Sequence, residues 1–360
     1  MDPWGLGYKI VTRKLGLFGP PELLDAPTTE RVIEELFPVH PPRRVRTYDV
    51  PVHAIPLFTE EELIVAAKSL KKGRAPGPNG IPAEVLQVIA LRCPAVLLQM
   101  YNACLTVGVF CTLWKRARLV LIDKKKAEPA WRPLCILDND GKLMEALLRP
   151  RIRDAIRNGG DLSDRQYGSR KGRSTVGAVR EVTAAVEAAN RVRHAARPIV
   201  LLVTLDVKNA FNTARWVDIL GALESFGVPP YLMRMVEDYF SQRMLLYDTT
   251  VGRRSRPLSG GIAQGSLEGP DFWGALINGL LRIAVPDGVT LVGYVDDTAA
   301  IIVAPDLNTA RTKTEIMMRR VARWMEEHGL QLALAKTEIV ILSVRRIETI
   351  VLKLNNPITQ

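Results

Sequence analysis

An α+β fold is what this 360-residue sequence predicts, and three observations carry that expectation. The stretch after residue 60 has mostly helical periodicity. Ile199 to Asp206 is a continuous apolar, β-branched run, and Val289 to Tyr294 with Ala299 to Val303 reads as the two arms of a hairpin. Helical segments fall between and after those strands, so an antiparallel sheet packed on helices is expected.

Taken in order, residues 1–60 are broken by Pro20, Pro21, Pro38, Pro41, Pro42, Pro51 and Pro56, a density expected to prevent long regular elements. They read as a Pro-rich lead-in segment. Thr59 suits an N-cap, with Glu61 and Glu62 in the first turn of a helix that runs to Leu70. Lys71 to Gly80 is a loop by composition. One helix is expected from Pro82 to about Val107, then a strand from Ala117 to Ile122 ending in Asp123-Lys124-Lys125-Lys126, which sets basic residues at the mouth of a strand pair. A helix from Gly141 to about Arg157 carries Arg149, Arg151, Arg153 and Arg157, and Ser174 to His194 reads as an Ala-rich helix.

The second half changes character. Ile199 to Asp206 fits a buried strand that ends in an acid. Helices are expected at about Ala214 to Phe226 and Pro230 to Gln242, and a strand at Leu245 to Thr250. After the hairpin come a long amphipathic helix, Thr309 to His328, and a short buried strand, Thr337 to Leu342. There is no internal repeat.

Lys and Arg total 49 against 38 Asp and Glu, a net charge of +11. Glu61 to Arg180 holds 22 basic and 11 acidic residues, a surplus equal to that of the whole chain. A positive region beside a neutral one suits a protein that grips a phosphate backbone with one part and does chemistry with another, although a solvated surface rich in Lys and Arg has the same composition. Cys93, Cys104, Cys111 and Cys135 show no paired CxxC spacing, so buried reduced thiols are expected and a zinc site is not. No apolar run reaches the ~18 residues of a membrane span, and Met1 to Leu17 lacks a signal-peptide block. An intracellular soluble protein is expected, with no membrane partner.

Tyr294-Val295-Asp296-Asp297 places two adjacent acids at the tight turn of the hairpin, where burial without counter-ions would be costly. In two-metal phosphoryl transfer, ions about 3.5–4 Å apart activate the attacking oxygen and stabilise the leaving one, and carboxylates are the hard-oxygen ligands that Mg²⁺ prefers. The third acid must come from a neighbouring strand, and Asp206 fits. Each signal alone is ordinary. They gain weight from Phe211, five residues after Asp206, and from Gln264-Gly265-Ser266 and Gly269-Pro270 ahead of the hairpin.

With these motifs the sequence resembles the reverse transcriptases, most closely those of non-LTR (LINE-type) retrotransposons of the insect kind. Leu205-Asp206-Val207 to Ala210-Phe211 resembles the first palm motif, Ala263 to Ser266 with Gly269-Pro270 the second, and Tyr294 to Asp297 the third. Trp324, Gly329-Leu330 and Lys336-Thr337-Glu338 match the segment that follows. Lys72 to Pro82, Trp131 to Leu134 with Lys142 and Glu145, and Gln166-Tyr167-Gly168 to Thr175 are similar to fingers motifs, so the matches run in order from about residue 60 to 342.

The resemblance implies a right-hand polymerase fold: fingers at 61–195, palm at 196–342, and residues 343–360 as a truncated connection toward primer grip and thumb. It implies that Asp206 and Asp296 bind two Mg²⁺ ions, with Mn²⁺ as a substitute, that Asp297 completes the cluster, and that the Val207 carbonyl adds a ligand. Phe211 would sit under the incoming sugar and exclude a 2′-hydroxyl; core packing is its plainer role. Gln264 and Gly265 would line the nucleotide pocket, the glycine permitting close backbone approach, or else form a turn at a helix start. Arg132, assisted by Lys125, would neutralise the triphosphate, and Lys336 would act near the pyrophosphate; a solvated turn and a surface lysine are the alternatives for the two lysines. Lys72, Arg74, Arg170, Lys171 and Arg173 would contact nucleic acid.

Asn79 stands where the family usually has Asp, and Ile262-Ala263 where Val-Pro is common. No Tyr-Leu-Gly primer grip or helical thumb follows Leu342, and no endonuclease segment, RNase H or Cys/His knuckle is seen, so a truncated copy with impaired processive synthesis is expected. An RNA template, a DNA primer and dNTPs are the implied partners, and nuclear action is implied by the family. The rivals are a catalytically inactive retroelement-derived RNA-binding protein and an RNA-dependent RNA polymerase. Phe211 and Tyr-Val-Asp-Asp in place of Gly-Asp-Asp argue against the latter. A group II intron maturase fits less well, because Arg170 to Thr175 is more LINE-like.

Overall fold

The computed structural model of the protein describes residues 24–124 and 131–342. Among these, eight strands form two sheets: β1 (Arg116–Asp123), β2 (Trp131–Leu137), β3 (Ile199–Leu205), β4 (Met244–Thr249), β5 (Gly252–Pro257), β6 (Val289–Tyr294), β7 (Asp297–Ala304) and β8 (Ile339–Ile341). The chain divides into two compact units. One takes the described residues up to Gly160 with Phe211–Gly269; the other takes Asp161–Ala210 with the described residues from Pro270 on. Each unit therefore draws on two stretches of sequence.

The first unit carries the sheet β2-β1-β4-β5. β1 runs antiparallel to β2, with Leu119 opposite Cys135, and parallel to β4, with Ala117 opposite Leu245. The lead-in departs from expectation here. It contains the helix Ala26–Leu36, whose Val32, Ile33 and Leu36, with Phe37, pack onto Ala117, Leu119, Cys135, Leu137 and Leu245. Its prolines do not prevent this, because Pro27 lies in the first turn, where a missing N–H costs nothing, and Asp25 caps the helix by accepting the Thr28 N–H at 2.9 Å.

The helix after Thr59 forms as expected, Glu60–Ser69, with Thr59 and Glu62 exchanging hydrogen bonds as a capping box. The single helix expected from Pro82 to Val107 is instead two, Ala83–Arg92 and Pro94–Val107, bent by 106°. Cys93 leaves the helical region (φ −139°, ψ 54°) because the residue before a proline clashes there, and Pro94 then starts the next helix. Among the described residues no single helix is long and apolar enough to cross a membrane. β5, Gly-Arg-Arg-Ser-Arg-Pro, escaped the sequence reading because an exposed edge strand has no apolar face to alternate.

The second unit carries the antiparallel sheet β6-β7-β3-β8. β3 lies between β7 and β8, which is why its sequence is apolar almost throughout. The helix Thr175–Asn190, capped by Ser174, lays Val182, Ala185, Val186 and Ala189 against Val200, Val292 and Ile301. The helix Leu307–Glu327 also runs against β3 and β7. The helix Gly269–Leu281, not anticipated from sequence, has Phe272, Trp273, Ala275, Leu276, Ile277 and Leu280 all buried, so it lacks the polar face that marks an amphipathic helix.

Candidate active site

Strand register builds the acidic site in the second unit. β3 pairs with β7 with Leu205 opposite Thr298, so Asp206, the next residue, leaves the sheet beside Asp297. β6 pairs with β7 with Tyr294 opposite Asp297, so Val295 and Asp296 form a two-residue turn. The Asp297 carboxyl is held above the ordinary carboxylate range by partial burial and then by the neighbouring Asp296 and Asp206 carboxylates. An acid that feels two neighbouring negative charges is what a cation site needs.

Lys336 answers part of that charge. Its Nζ lies 2.8 Å from Asp206 Oδ2, and the Asp206 backbone carbonyl accepts the Ala333 N–H at 2.8 Å. Val207 is buried and bridges Leu332 antiparallel, and the Lys208 N–H donates to the Gln331 carbonyl at 2.8 Å. The chain around residues 331–336 thus runs along the end of β3, which brings a lysine 130 positions away onto the first acid. Among the described residues no three His, Cys, Asp or Glu side chains are already closed into a metal cage. The donor chemistry still fits a hard divalent cation: carboxylate oxygens are its preferred ligands, Asp297 feels the charge of both other acids, and the ammonium drawn onto Asp206 stands where a cation would be welcome.

The hairpin turn departs from ordinary backbone geometry. Val295 has φ +58°, a left-handed conformation that costs a β-branched residue ~1–2 kcal/mol. The neighbouring strand β6 is flanked by residues 165–167: the Gly293 N–H donates to the Arg165 carbonyl at 2.9 Å, and the Tyr167 N–H donates to the Gly293 carbonyl at 2.8 Å.

Arg170, expected to contact nucleic acid, is engaged within its own loop. Its guanidinium donates to the Ser163 carbonyl and pairs with Asp161 Oδ2, both at 2.7 Å, and the side chain is only 15% exposed. Arg170 fastens the 161–170 loop, since a fork with its donors committed to that loop has little left for a phosphate. Arg173 pairs with Asp164 at 2.6 Å and lies over the Tyr167 ring. Lys171 between them is exposed.

The other candidate residues belong to the first unit. Phe211 sits half-buried in the short helix Ala210–Thr213, and its carbonyl accepts the Ile262 N–H at 2.6 Å. The Gly261 N–H donates to the Ala214 carbonyl at 2.8 Å, and the Trp216 indole donates to the Gly261 carbonyl at 2.8 Å. The Gln264 carbonyl then accepts the Cys135 N–H at 3.0 Å, at the free edge of β2 and three residues from the exposed Arg132. Gly265 has φ +140°, and a Cβ there would lie 2.3 Å from the Cys135 carbonyl oxygen, so the approach requires glycine. Backbone hydrogen bonds thus tie the 261–264 segment to Phe211 on one side and to Cys135 of β2 on the other.

Glu145, noted from sequence only as family-like, proves to be the anchor of this segment. Its buried carboxylate accepts from the Ser266 hydroxyl at 3.1 Å and from the Leu267 and Glu268 N–H groups. Lys72 and Arg74 are exposed in the 71–80 loop. That loop docks through Asn79, whose N–H donates to Asp138 Oδ1 at 2.9 Å and whose side-chain amide donates to Asp140. The departure at Asn79 therefore has a physical reason: an Asp there would set a third carboxylate against two others. Lys125 lies outside the described residues.

Comparison with known proteins agrees with this arrangement. The chain matches the family described as reverse transcriptase (RNA-dependent DNA polymerase) over residues 122–351. The chain belongs to the reverse transcriptases. Among its relatives, the "Putative 115 kDa protein in type-1 retrotransposable element R1DM" of Drosophila melanogaster is 30% identical, over 97% of this chain and 34% of the relative. The "Retrovirus-related Pol polyprotein from type-1 retrotransposable element R1" of Bradysia coprophila is 28% identical, over 75% of this chain and 26% of the relative. The chain spans about a third of the length of the first relative and about a quarter of the second. A telomerase from Candida tropicalis is a looser structural likeness, with 12% identity, a TM-score of 0.47, and 65% of this chain and 51% of that one covered. The reverse-transcriptase domain and its insect non-LTR relatives are as the sequence motifs implied, and an antiparallel sheet packed on helices fits the right-hand polymerase fold.

Proposed function

We propose that this chain is the catalytic core of an RNA-directed DNA polymerase that extends a DNA primer on an RNA template by two-metal nucleotidyl transfer. The observation that carries the reading is the register of β3, β7 and β6, which delivers Asp206, Asp296 and Asp297 to one end of one sheet. Asp206, Asp296, Asp297 and the Val207 carbonyl would hold two Mg²⁺ ions, or Mn²⁺ in their place. Those ions supply activation of the primer 3′-hydroxyl and neutralisation of charge on the transferred phosphate.

The residues of the chain do the rest. Lys336, now paired with Asp206, would place its ammonium near the departing pyrophosphate. Arg132 offers a guanidinium fork to the triphosphate. The ring of Phe211 excludes a 2′-hydroxyl, and Gln264 with Gly265 lines the base pair being formed. Lys72, Arg74, Lys171 and Arg173 meet the phosphate backbone, with Arg173 exchanging its exposed partner Asp164 for phosphate. Fingers at 61–195 and palm at 196–342 name these roles along the chain, and the nucleus is the proposed place of action.

Primer extension on an RNA template with Mg²⁺ tests this. Incorporation of dNTPs in preference to rNTPs is expected, with a loss on the order of 100-fold or more for Asp296→Asn and no change in RNA binding. RNA binding without incorporation in either Mg²⁺ or Mn²⁺ would establish the inactive RNA-binding alternative, and preference for rNTPs the RNA polymerase.

A further inference from the structure

A two-residue hairpin turn matches the twist of its strands only when its first central residue takes positive φ, a position normally given to Gly, Asn or Asp. Here that residue is Val295, at φ +58°. A β-branched residue holds such a conformation only when its surroundings over-determine it. Two neighbours do so. Trp273, fully buried on the helix Gly269–Leu281, donates its indole Nε1–H to the Val295 carbonyl at 2.7 Å. From the Gln166–Arg170 loop, Gly168 approaches so closely that a Cβ on it would fall 2.1 Å from the Val295 nitrogen and 2.6 Å from its Cγ2.

We propose that Trp273 and Gly168 form a clamp that holds Val295 left-handed and thereby sets the direction of Asp296 and Asp297, making Trp273 a positioning residue for the acidic site. The Val295 carbonyl belongs to the peptide group that leads into Asp296, so the indole fixes the plane from which both carboxylates project. An indole has one donor, and burial gives it no water to fall back on. The loop side of the clamp is itself tied down: the Gly168 N–H donates to Gln166 Oε1 at 3.2 Å, Tyr167 bonds to Gly293, and Arg170 locks the loop to Ser163 and Asp161. If the turn relaxed, the register that pairs Tyr294 with Asp297 would be open to slipping, and a slip of one residue would exchange Asp297 with Thr298, which is buried. The clamp also accounts for Gln166-Tyr167-Gly168 and Arg170 without assigning them to RNA.

The consequence for metal binding rests on the function proposed above, but the clamp itself does not, and the test separates them. The proteins are the full chain, Trp273→Phe, Val295→Gly and the double variant, with Asp296→Asn as control. In the metal-free protein, hydrogen exchange of the 293–298 amides is expected to rise about tenfold in Trp273→Phe when Val295 is present, and hardly at all in the Val295→Gly background, because glycine adopts positive φ without being held. Mn²⁺ affinity, measured by calorimetry, is expected to fall about tenfold in Trp273→Phe and to recover in the double variant.

Equal exchange changes in both backgrounds, or none in either, would overturn the clamp. If exchange follows the expected pattern while the full chain shows no Mn²⁺ binding sensitive to Asp296→Asn, the metal-site reading fails and the clamp stands. Should Trp273→Phe not fold, Gly168→Ala decides from the other side: faster exchange at 293–298 supports the clamp, and unchanged exchange overturns it.

Discussion

The two units reach their candidate residues by opposite routes. In the second, a regular antiparallel sheet delivers the acids: β3 ends where Asp206 begins, and the β6–β7 turn presents Asp296 and Asp297, so strand register brings the three together. In the first, loops are fastened by individual polar groups, with Glu145 holding 266–268, the Cys135 N–H holding Gln264, and Asp138 and Asp140 holding Asn79. A register is shared by many residues, whereas a buried carboxylate acts alone. The acidic site should therefore tolerate loss of any one of its exposed side chains without unfolding, and the loop-built segment should not tolerate loss of its anchors.

The largest expected effect is also the cleanest contrast: Asp296→Asn abolishes dNTP incorporation yet leaves the urea unfolding midpoint where it was. A lowered midpoint would mean that the acids hold the hairpin together and that the two units do not differ in this respect. Glu145→Ala should do the reverse, costing about 3 kcal/mol of stability by stranding a hydroxyl and two N–H groups. Equilibrium urea unfolding reads this, and a cost below about 1 kcal/mol would show that the 266–268 loop stands without its anchor.

Gly265→Ala comes next, at about 2 kcal/mol, since both its φ and the Cys135 carbonyl resist a side chain. Weaker dNTP affinity in nucleotide-binding titrations should accompany it, and unaltered affinity would detach this glycine from the nucleotide. The smallest effect is Asn79→Asp, about 1 kcal/mol at neutral pH. Burial, and then the neighbouring Asp140 against the opposing effect of the Asn79 N–H bond, already hold the Asp138 carboxyl above its ordinary value, and a third carboxyl would be raised in the same way. A raised carboxyl destabilises the fold above its folded pKa and ceases to do so once protonated. The penalty should thus shrink as pH falls and vanish near about pH 3.5 in thermal melts. A penalty independent of pH would point to lost hydrogen bonding in place of charge.

The same contrast explains what was legible beforehand. Asp206, Asp296 and Asp297 stood out because a strand that ends in an acid and a hairpin turned on two acids are local patterns. The capping box at Thr59 was legible for the same reason. The contacts of Arg170 were not legible, because nothing local distinguishes an arginine that grips carbonyls from one that awaits phosphate. The 26–36 helix was hidden by proline density that is harmless in a first turn, and the break at Cys93 was present in the sequence as Pro94 but outweighed by apolar periodicity on both sides.

By itself, the sequence determined the α+β class, the family, and the identity and order of the three acids, because each of these rests on spacing between neighbours in the chain. Only the tertiary structure decided that Lys336 meets Asp206, that Glu145 anchors the segment beside Gln264, and that Trp273 and Gly168 close on Val295. Those contacts join residues 22 to 130 positions apart. No local pattern specifies them, because they arise from how whole elements pack and not from the conformational preference of any one.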